Sequence, residues 1–287
     1  MSAVAAALSE PLSRNTTRGV ARLSVTDDDG RPAVSELYSA QPLRLFIPRP
    51  GVGETLTAVI GNLSGGIVGG DDYQTEVNLG RHTKLTLAAQ AAEKVYRSTG
   101  SEAENRFSFD VGENAAFEWL PQGTIVFDRA LFRQQVRFDV SSSATMLAGA
   151  ISVLGRSAMG ETLTCGRYRE HWDYRRDGKL VWADRFDLGD AAGAAGPASA
   201  MRGVTCFATA LFSRRNAADD LDWAREILSD GGSAVRSGVT AVDDHLLAMR
   251  WLGADAMRLR DAVGAFWGEA RARWLGLPVQ LPVIWRI

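Results

Sequence analysis

Val77-Asn-Leu-Gly-Arg-His-Thr-Lys-Leu-Thr-Leu-Ala-Ala-Gln90 and Phe109-Asp-Val-Gly-Glu-Asn-Ala-Ala-Phe-Glu-Trp-Leu-Pro-Gln122 align without a gap. Each stretch reads as strand, glycine turn, strand, and each ends in glutamine. A fainter third copy opens at Phe138-Asp-Val-Ser-Ser-Ser-Ala144. The copies recur roughly every 30 residues, a spacing at which one supersecondary unit stacks on the next as a solenoid or layered sheet. Consecutive hairpins in any β-rich chain give a similar pattern, so the repeat alone leaves both architectures open.

The same period-two alternation extends outward from the repeat. Ala21, Leu23 and Val25 alternate with Arg22, Ser24 and Thr26. Leu43, Leu45 and Ile47 follow the same rule, as do Phe107, Phe109 and Val111, and then Val136, Phe138 and Val140. Each set places its apolar side chains on one face of a strand. Gly and Pro punctuate the runs at Pro48 to Gly53, Gly80, Gly100 and Gly112. The C-terminal third differs. Asp190 to Met201 is small-residue, low-complexity sequence and reads as a surface loop. Asn216 is placed to cap a helix running to Leu228, and Val239 to Leu252 reads as one strand. Asp255 is placed to cap a second helix, with an apolar stripe at Leu259, Val263, Phe266, Trp267, Ala270 and Trp274 that Gly276 and Pro278 end.

Composition bounds the function. The chain has 287 residues, 46% of them hydrophobic, which supplies a sizeable core. Its 32 basic and 34 acidic residues are mixed along the chain, so it lacks the basic face that a nucleic-acid binder needs. Residues 1–19 read as a flexible tail; Met1 to Glu10 is Ala-rich without a basic region before its apolar stretch, unlike a signal peptide. The longest apolar run, Thr145 to Leu154, is far short of the ~20 residues that span a bilayer. The expectation is a cytoplasmic protein with no membrane segment. Cys165 and Cys206 form no CxxC pattern.

Several enzyme motifs are absent. Gly61 to Asp71 is glycine-rich but lacks the Lys-Ser/Thr of a phosphate loop, and no helical pattern follows it. It reads as a turn-rich segment whose backbone needs positive φ or close approach to another chain. His82, His171 and His245 form no paired-ligand spacing. Glu93-Lys94 and Glu118 invite an acid–base reading, but cross-strand ion pairs account for them equally well.

Taken together, five segments in order resemble the UreD (UreH) family of urease accessory proteins. The first is Asn62-Leu-Ser-Gly-Gly-Ile-Val-Gly-Gly-Asp71, with Gly65, Gly66, Gly69 and Gly70 in its core. The second is Gln90 to Ser98, with Lys94, Tyr96 and Arg97, and the third is Glu118 to Asp128, with Trp119, Pro121 and Gln122. Gly155 to Glu161, with Arg156, Met159 and Gly160, is the fourth, and Leu281-Pro-Val-Ile-Trp-Arg-Ile287 is the fifth. Two positions depart from the pattern: Gly123 stands where many members carry an acidic residue, and the chain ends in Ile287 rather than Thr.

The resemblance implies a mainly β fold of stacked, superhelically arranged, solenoid-like sheets with two C-terminal α-helices, near 216–228 and 255–275, in one domain over 20–287. It also implies no reaction of its own. Such proteins bind apo-urease and act with a helical accessory protein and an accessory GTPase while nickel is inserted and an active-site lysine is carbamylated. No cofactor is expected to be permanently bound; nickel would be in transit. Transit requires weak binding, which sparse oxygen ligands supply better than a His/Cys cage. On that basis the segments Asn62 to Asp71 and Gln90 to Ser98, with Glu118, Asp128, Glu161 and His171, are candidates to line or frame the ion's path, and Trp285 and Arg286 are candidate partner contacts. The competing readings are a β-rich hydrolase using paired carboxylates, which must converge in a cleft, and a generic β adaptor unrelated to urease.

Overall fold

The computed structural model describes residues 17–156, 159–161, 163–189, 203–229 and 234–286. The expected 1–19 tail therefore falls mostly outside the described residues, and the 190–201 loop entirely so. The repeat decides the architecture. One sheet has seven strands: β1 (Arg18–Asp28), β2 (Arg31–Ala40), β5 (Asp72–Leu79), β8 (Ala103–Val111), β11 (Leu131–Val140), β13 (Arg167–Arg176) and β14 (Lys179–Leu188), in the order β14-β13-β11-β8-β5-β1-β2. The other follows the path β16-β17-β15-β12-β9-β6-β4-β3, from β3 (Leu43–Phe46), β4 (Leu56–Asn62), β6 (Lys84–Ala89), β9 (Ala116–Leu120), β12 (Thr145–Leu154), β15 (Cys206–Ser213), β16 (Val235–Asp243) and β17 (Leu246–Gly253). Two short strands, β7 (Glu93–Val95) and β10 (Thr124–Val126), pair off this path.

Each repeat gives one strand to each sheet, so like strands stack in parallel. Val77 is the ladder partner of Phe109, and Phe109 of Phe138; Leu85 is the partner of Phe117, and Phe117 of Met146. The gapless sequence alignment is thus the structural register. The turns stack as well: Gly80 N donates to Val25 O, Gly112 N to Leu79 O and Ser141 N to Val111 O. A Cβ at Gly112 would lie 2.7 Å from Leu79 O, so the turn needs glycine for close approach. Antiparallel hairpins close the seven-stranded sheet at both ends, β1–β2 and β13–β14.

Alternation puts Leu23, Val77, Phe109, Phe138 and Trp172 in a core between the sheets, opposite Leu87, Phe117 and Trp119. Aromatic rings knit it together, with Phe109–Phe138 at 5.1 Å and Trp119–Trp172 at 5.8 Å between centroids. A second core lies on the outer face of the other sheet, beneath α1 (Leu221–Ser229) and α2 (Ala256–Leu275). This explains the apolar run of β12: covered on both faces, it does not need to alternate. No described helix is long and apolar enough to cross a membrane.

The helix expected after Asp255 forms as read. Its carboxylate accepts from Met257 N and Arg258 N, every residue of the apolar stripe is buried, and Gly276 ends it at φ 66°. Two local expectations are corrected. Val239–Leu252 is not one strand but parts of β16 and β17, joined by a turn in which Asp243 accepts from His245 N. Asn216 precedes its helix in the left-handed region without a side-chain cap, and a 3-10 turn at Ala217–Asp220 leads into α1.

Candidate functional site: a polar seam between the sheets

Strand parity sends every second residue of the seven-stranded sheet into the core, and most are apolar. One level is different. Tyr73, Asn105, Gln134 and Glu170 are successive ladder partners across β5, β8, β11 and β13, and all four are buried. A seam of polar side chains therefore crosses an otherwise apolar interior. Glu170 is well supplied with donors: Tyr168 OH, Ser152 Oγ (2.9 Å) and Trp172 Nε1 (2.8 Å). Burial nonetheless pushes its carboxyl above the usual range. Among the described residues, the Asn105 and Gln134 carboxamides have no protein hydrogen-bond partner. They line a cavity of about 370 Å³ together with Asn62, Thr75, Glu93 and Trp119.

The cavity reaches the surface beside Gly65 and Lys94, which are exposed. Here the first two signature segments meet. Ile67 N donates to Lys94 O and Tyr96 N to Ile67 O, forming a strand-like bridge. A Cβ at Gly66 would lie 2.3 Å from the Tyr96 ring and 2.7 Å from Lys94 O, so only glycine permits the approach. Asp71 fixes the loop by accepting from Val68 N at 2.9 Å and Tyr73 OH at 3.0 Å. Asn62 Nδ2 donates to Gly66 O and to Glu93 Oε1, the latter at 3.0 Å. Burial pushes the Glu93 carboxyl up to about 7, against the opposing pull of the Asn62 hydrogen bond. The Tyr73 hydroxyl is likewise pushed up to about 12 by burial.

The later signature segments stack on this corner. Thr124, Ile125 and Val126 of β10 pair with Glu93, Lys94 and Val95 on one side and with Ser152, Val153 and Leu154 on the other. Gly155 N donates to Val126 O. Phe127 packs edge-on against Tyr96 at 5.0 Å, and the Arg156 guanidinium lies over Phe127 at 4.3 Å.

The four residues expected to frame an ion path do not converge, and the described residues contain no group of three or more His, Cys, Asp or Glu that could hold a metal. Glu118 points away from the seam toward α2, where Thr86 Oγ1 (2.7 Å), Trp267 Nε1 (2.9 Å) and two Arg271 nitrogens (2.9 and 3.0 Å) fill its carboxylate. Glu93 and Glu118 thus lie on opposite faces of their sheet and make no acid–base pair. Asp128 clamps the loop before β13 through Thr164 N and Cys165 N, which holds its carboxyl below the usual range. Glu161 accepts from Asp128 N and pairs with Arg156. His171 is on the outer face, where partial burial and then Arg185, Arg133 and Arg169 lower its pKa.

Trp285, expected at a partner surface, is instead buried in its own fold. Its Nε1 donates to Pro121 O at 3.1 Å, its ring lies 4.3 Å from the Arg260 guanidinium, and Gln122 Nε2 donates to Ile284 O at 2.6 Å. Arg286 is exposed. The residues that sequence reading passed over are Asn105 and Gln134; Glu93 lies in the expected Gln90–Ser98 path segment, and Glu170 was considered only as a possible ligand beside His171. The signal of Asn105 and Gln134 was present: each is a polar residue at an inward position, as in Ala103-x-Asn105-x-Phe107 and Phe132-x-Gln134-x-Val136.

A family profile described as UreD urease accessory protein matches residues 17–286. The urease accessory protein UreD of Magnetococcus marinus is 38% identical over 283 residues, covering 96% of this chain and 98% of the relative. The UreD of Mesorhizobium japonicum is 36% identical over 271 residues, covering 94% of this chain and 95% of the relative. With the fold and the ordered segments, these matches place the chain in the family of UreD urease accessory proteins.

Proposed function

We propose that this protein is a non-catalytic urease maturation factor that binds apo-urease and passes nickel through the polar seam between its sheets. In this reading it works with a helical accessory protein and an accessory GTPase, in the cytoplasm, while the active-site lysine is carbamylated. The observation that carries the transit role is the Asn105 and Gln134 pair. Among the described residues neither carboxamide is bonded to protein, and both face the cavity rather than sealed protein, so water or a hydrated ion can meet them. Carboxamide oxygens and a single under-satisfied carboxylate, Glu93, offer a divalent cation few and weak contacts. A cargo that must leave requires weak contacts of this kind. Glu118, Asp128 and Glu161 then serve by holding the helix and loops around the seam. In this reading the path uses Asn62 and Glu93 of the two expected segments together with Asn105 and Gln134, rather than Glu118, Asp128 and Glu161.

The test replaces the two carboxamides with leucine. Asn105→Leu with Gln134→Leu should fold with a largely unchanged melting temperature, because no protein hydrogen bond is lost. The variant should still assemble with apo-urease, yet urease activation and urease nickel content should fall at least tenfold. Full activation by the assembled double variant would sink the transit role.

A further inference from the structure

We propose that the groove between the β3–β4 loop and the C-terminal segment is a docking site for an amphipathic helix of a partner protein, one whose polar side carries carboxylates. The proposal rests on the maturation reading for the existence of partners and goes beyond it in assigning the surface and its chemistry.

The groove encloses about 1160 Å³. Among the described residues, four of the exposed large hydrophobic side chains line it: Leu37 at 51%, Phe46 at 43%, Val52 at 101% and Val283 at 70%. Concentrated exposure of this kind marks an interaction surface, unlike apolar residues scattered singly. Pro48, Pro50, Pro278 and Pro282 lie in the walls, and each restricts the backbone at its own position.

Backbone chemistry selects the form of the occupant. An added β-strand needs free main-chain donors along an edge. The four prolines have no N–H, and the Leu45 N–H of edge strand β3 is already held by Ser39 Oγ at 3.0 Å. What the groove offers is apolar side-chain contact, which a helix satisfies through residues spaced three and four apart. Charge selects the polar side. Arg49 and Arg286 line the groove, both are exposed, and neither has an ion-pair partner among the described residues. Glu54, the acidic residue in the wall, is engaged by Arg271 at 2.7 and 2.9 Å. The rim is therefore net positive and complements carboxylates.

The experiment places a photo-reactive benzoylphenylalanine at Val52 or Val283 of the full chain. Purified helical accessory protein, accessory GTPase and apo-urease are then offered separately. Both positions should crosslink to one helical, Asp/Glu-bearing segment of one of the three. Arg49→Glu with Arg286→Glu should weaken that complex roughly tenfold, with thermal melting unchanged. The docking proposal is overturned by any of four results. These are crosslinks only to a second copy of this chain, crosslinks to an extended or basic segment, an affinity indifferent to the charge reversal, and binding of the partners with no crosslink through the groove. If the folded chain binds none of the three proteins, the maturation reading falls with it.

Discussion

Glu118 is a buried carboxylate and Glu93 a partly buried one, and they meet opposite surroundings. Glu118 lies between β9 and α2 with four hydrogen bonds to its two oxygens. Its partner Arg271 is itself fully buried and continues to Glu54, Pro278 O and Gln280 O. Glu93 faces a cavity and is held by Asn62 and the Lys94 backbone. The difference separates two uses of a carboxylate drawn into the fold. A carboxylate whose lone pairs are all filled by protein donors is fixed and unavailable. One left short of donors beside open space remains able to take a proton or a cation.

The largest expected effect breaks the saturated side of this comparison. Arg271→Ala strands Glu118 and Glu54 without their counter-charge, which should cost about 3–5 kcal/mol in urea denaturation. A loss under about 1 kcal/mol would mean that the network does not anchor α2.

The next effect sharpens the unsaturated side. Burial pushes the folded-state pKa of Glu93 from its ordinary 4.5 up to about 7, so the protonated acid is the form that folding favours. The stability linked to it is fully present below about pH 4.5 and is lost progressively as pH rises through 7, on the order of 3 kcal/mol in all. Stability measured from pH 5 to 8 should decline in the wild type, and Glu93→Gln should flatten that decline. Equal slopes for the two proteins would remove Glu93 as the source.

The smallest effect tests whether α2 is held mainly by its buried network or by its own ends. Asp255→Ala removes a cap that satisfies two backbone N–H groups and should cost about 1 kcal/mol. A cost approaching that of Arg271→Ala would reverse the ranking.

Much of the fold was legible because it rests on local rules repeated along the chain. Val77 and Phe109 sit at the same point of the repeat and become ladder partners, since stacking identical units keeps like residues in register. The stripe from Leu259 to Trp274 and its caps at Asp255 and Gly276 are likewise properties of one helix. The site was read less well. Acidic residues attract attention in a sequence, yet Glu118, Asp128 and Glu161 are consumed by protein contacts. The seam's Asn105 and Gln134 are uncharged and attracted none. The hairpin of β16 and β17 was missed because both strands continue the same alternation on either side of a short turn.

The sequence by itself determined the alternation, the coil register, the second helix with its ends, and the family. Those follow from backbone periodicity and from residues near one another in the chain. Only the tertiary structure decided which face of each strand met what. α2 covers one face of the sheet and takes Glu118 through Arg271, while the other face turns Trp119 toward the seam. It also turned Trp285 inward, because Gln122 and Arg260, remote in sequence, meet only once the sheets and helix have packed. Strand parity assigns a side chain to a face, but long-range packing decides whether that face is core, cavity or solvent.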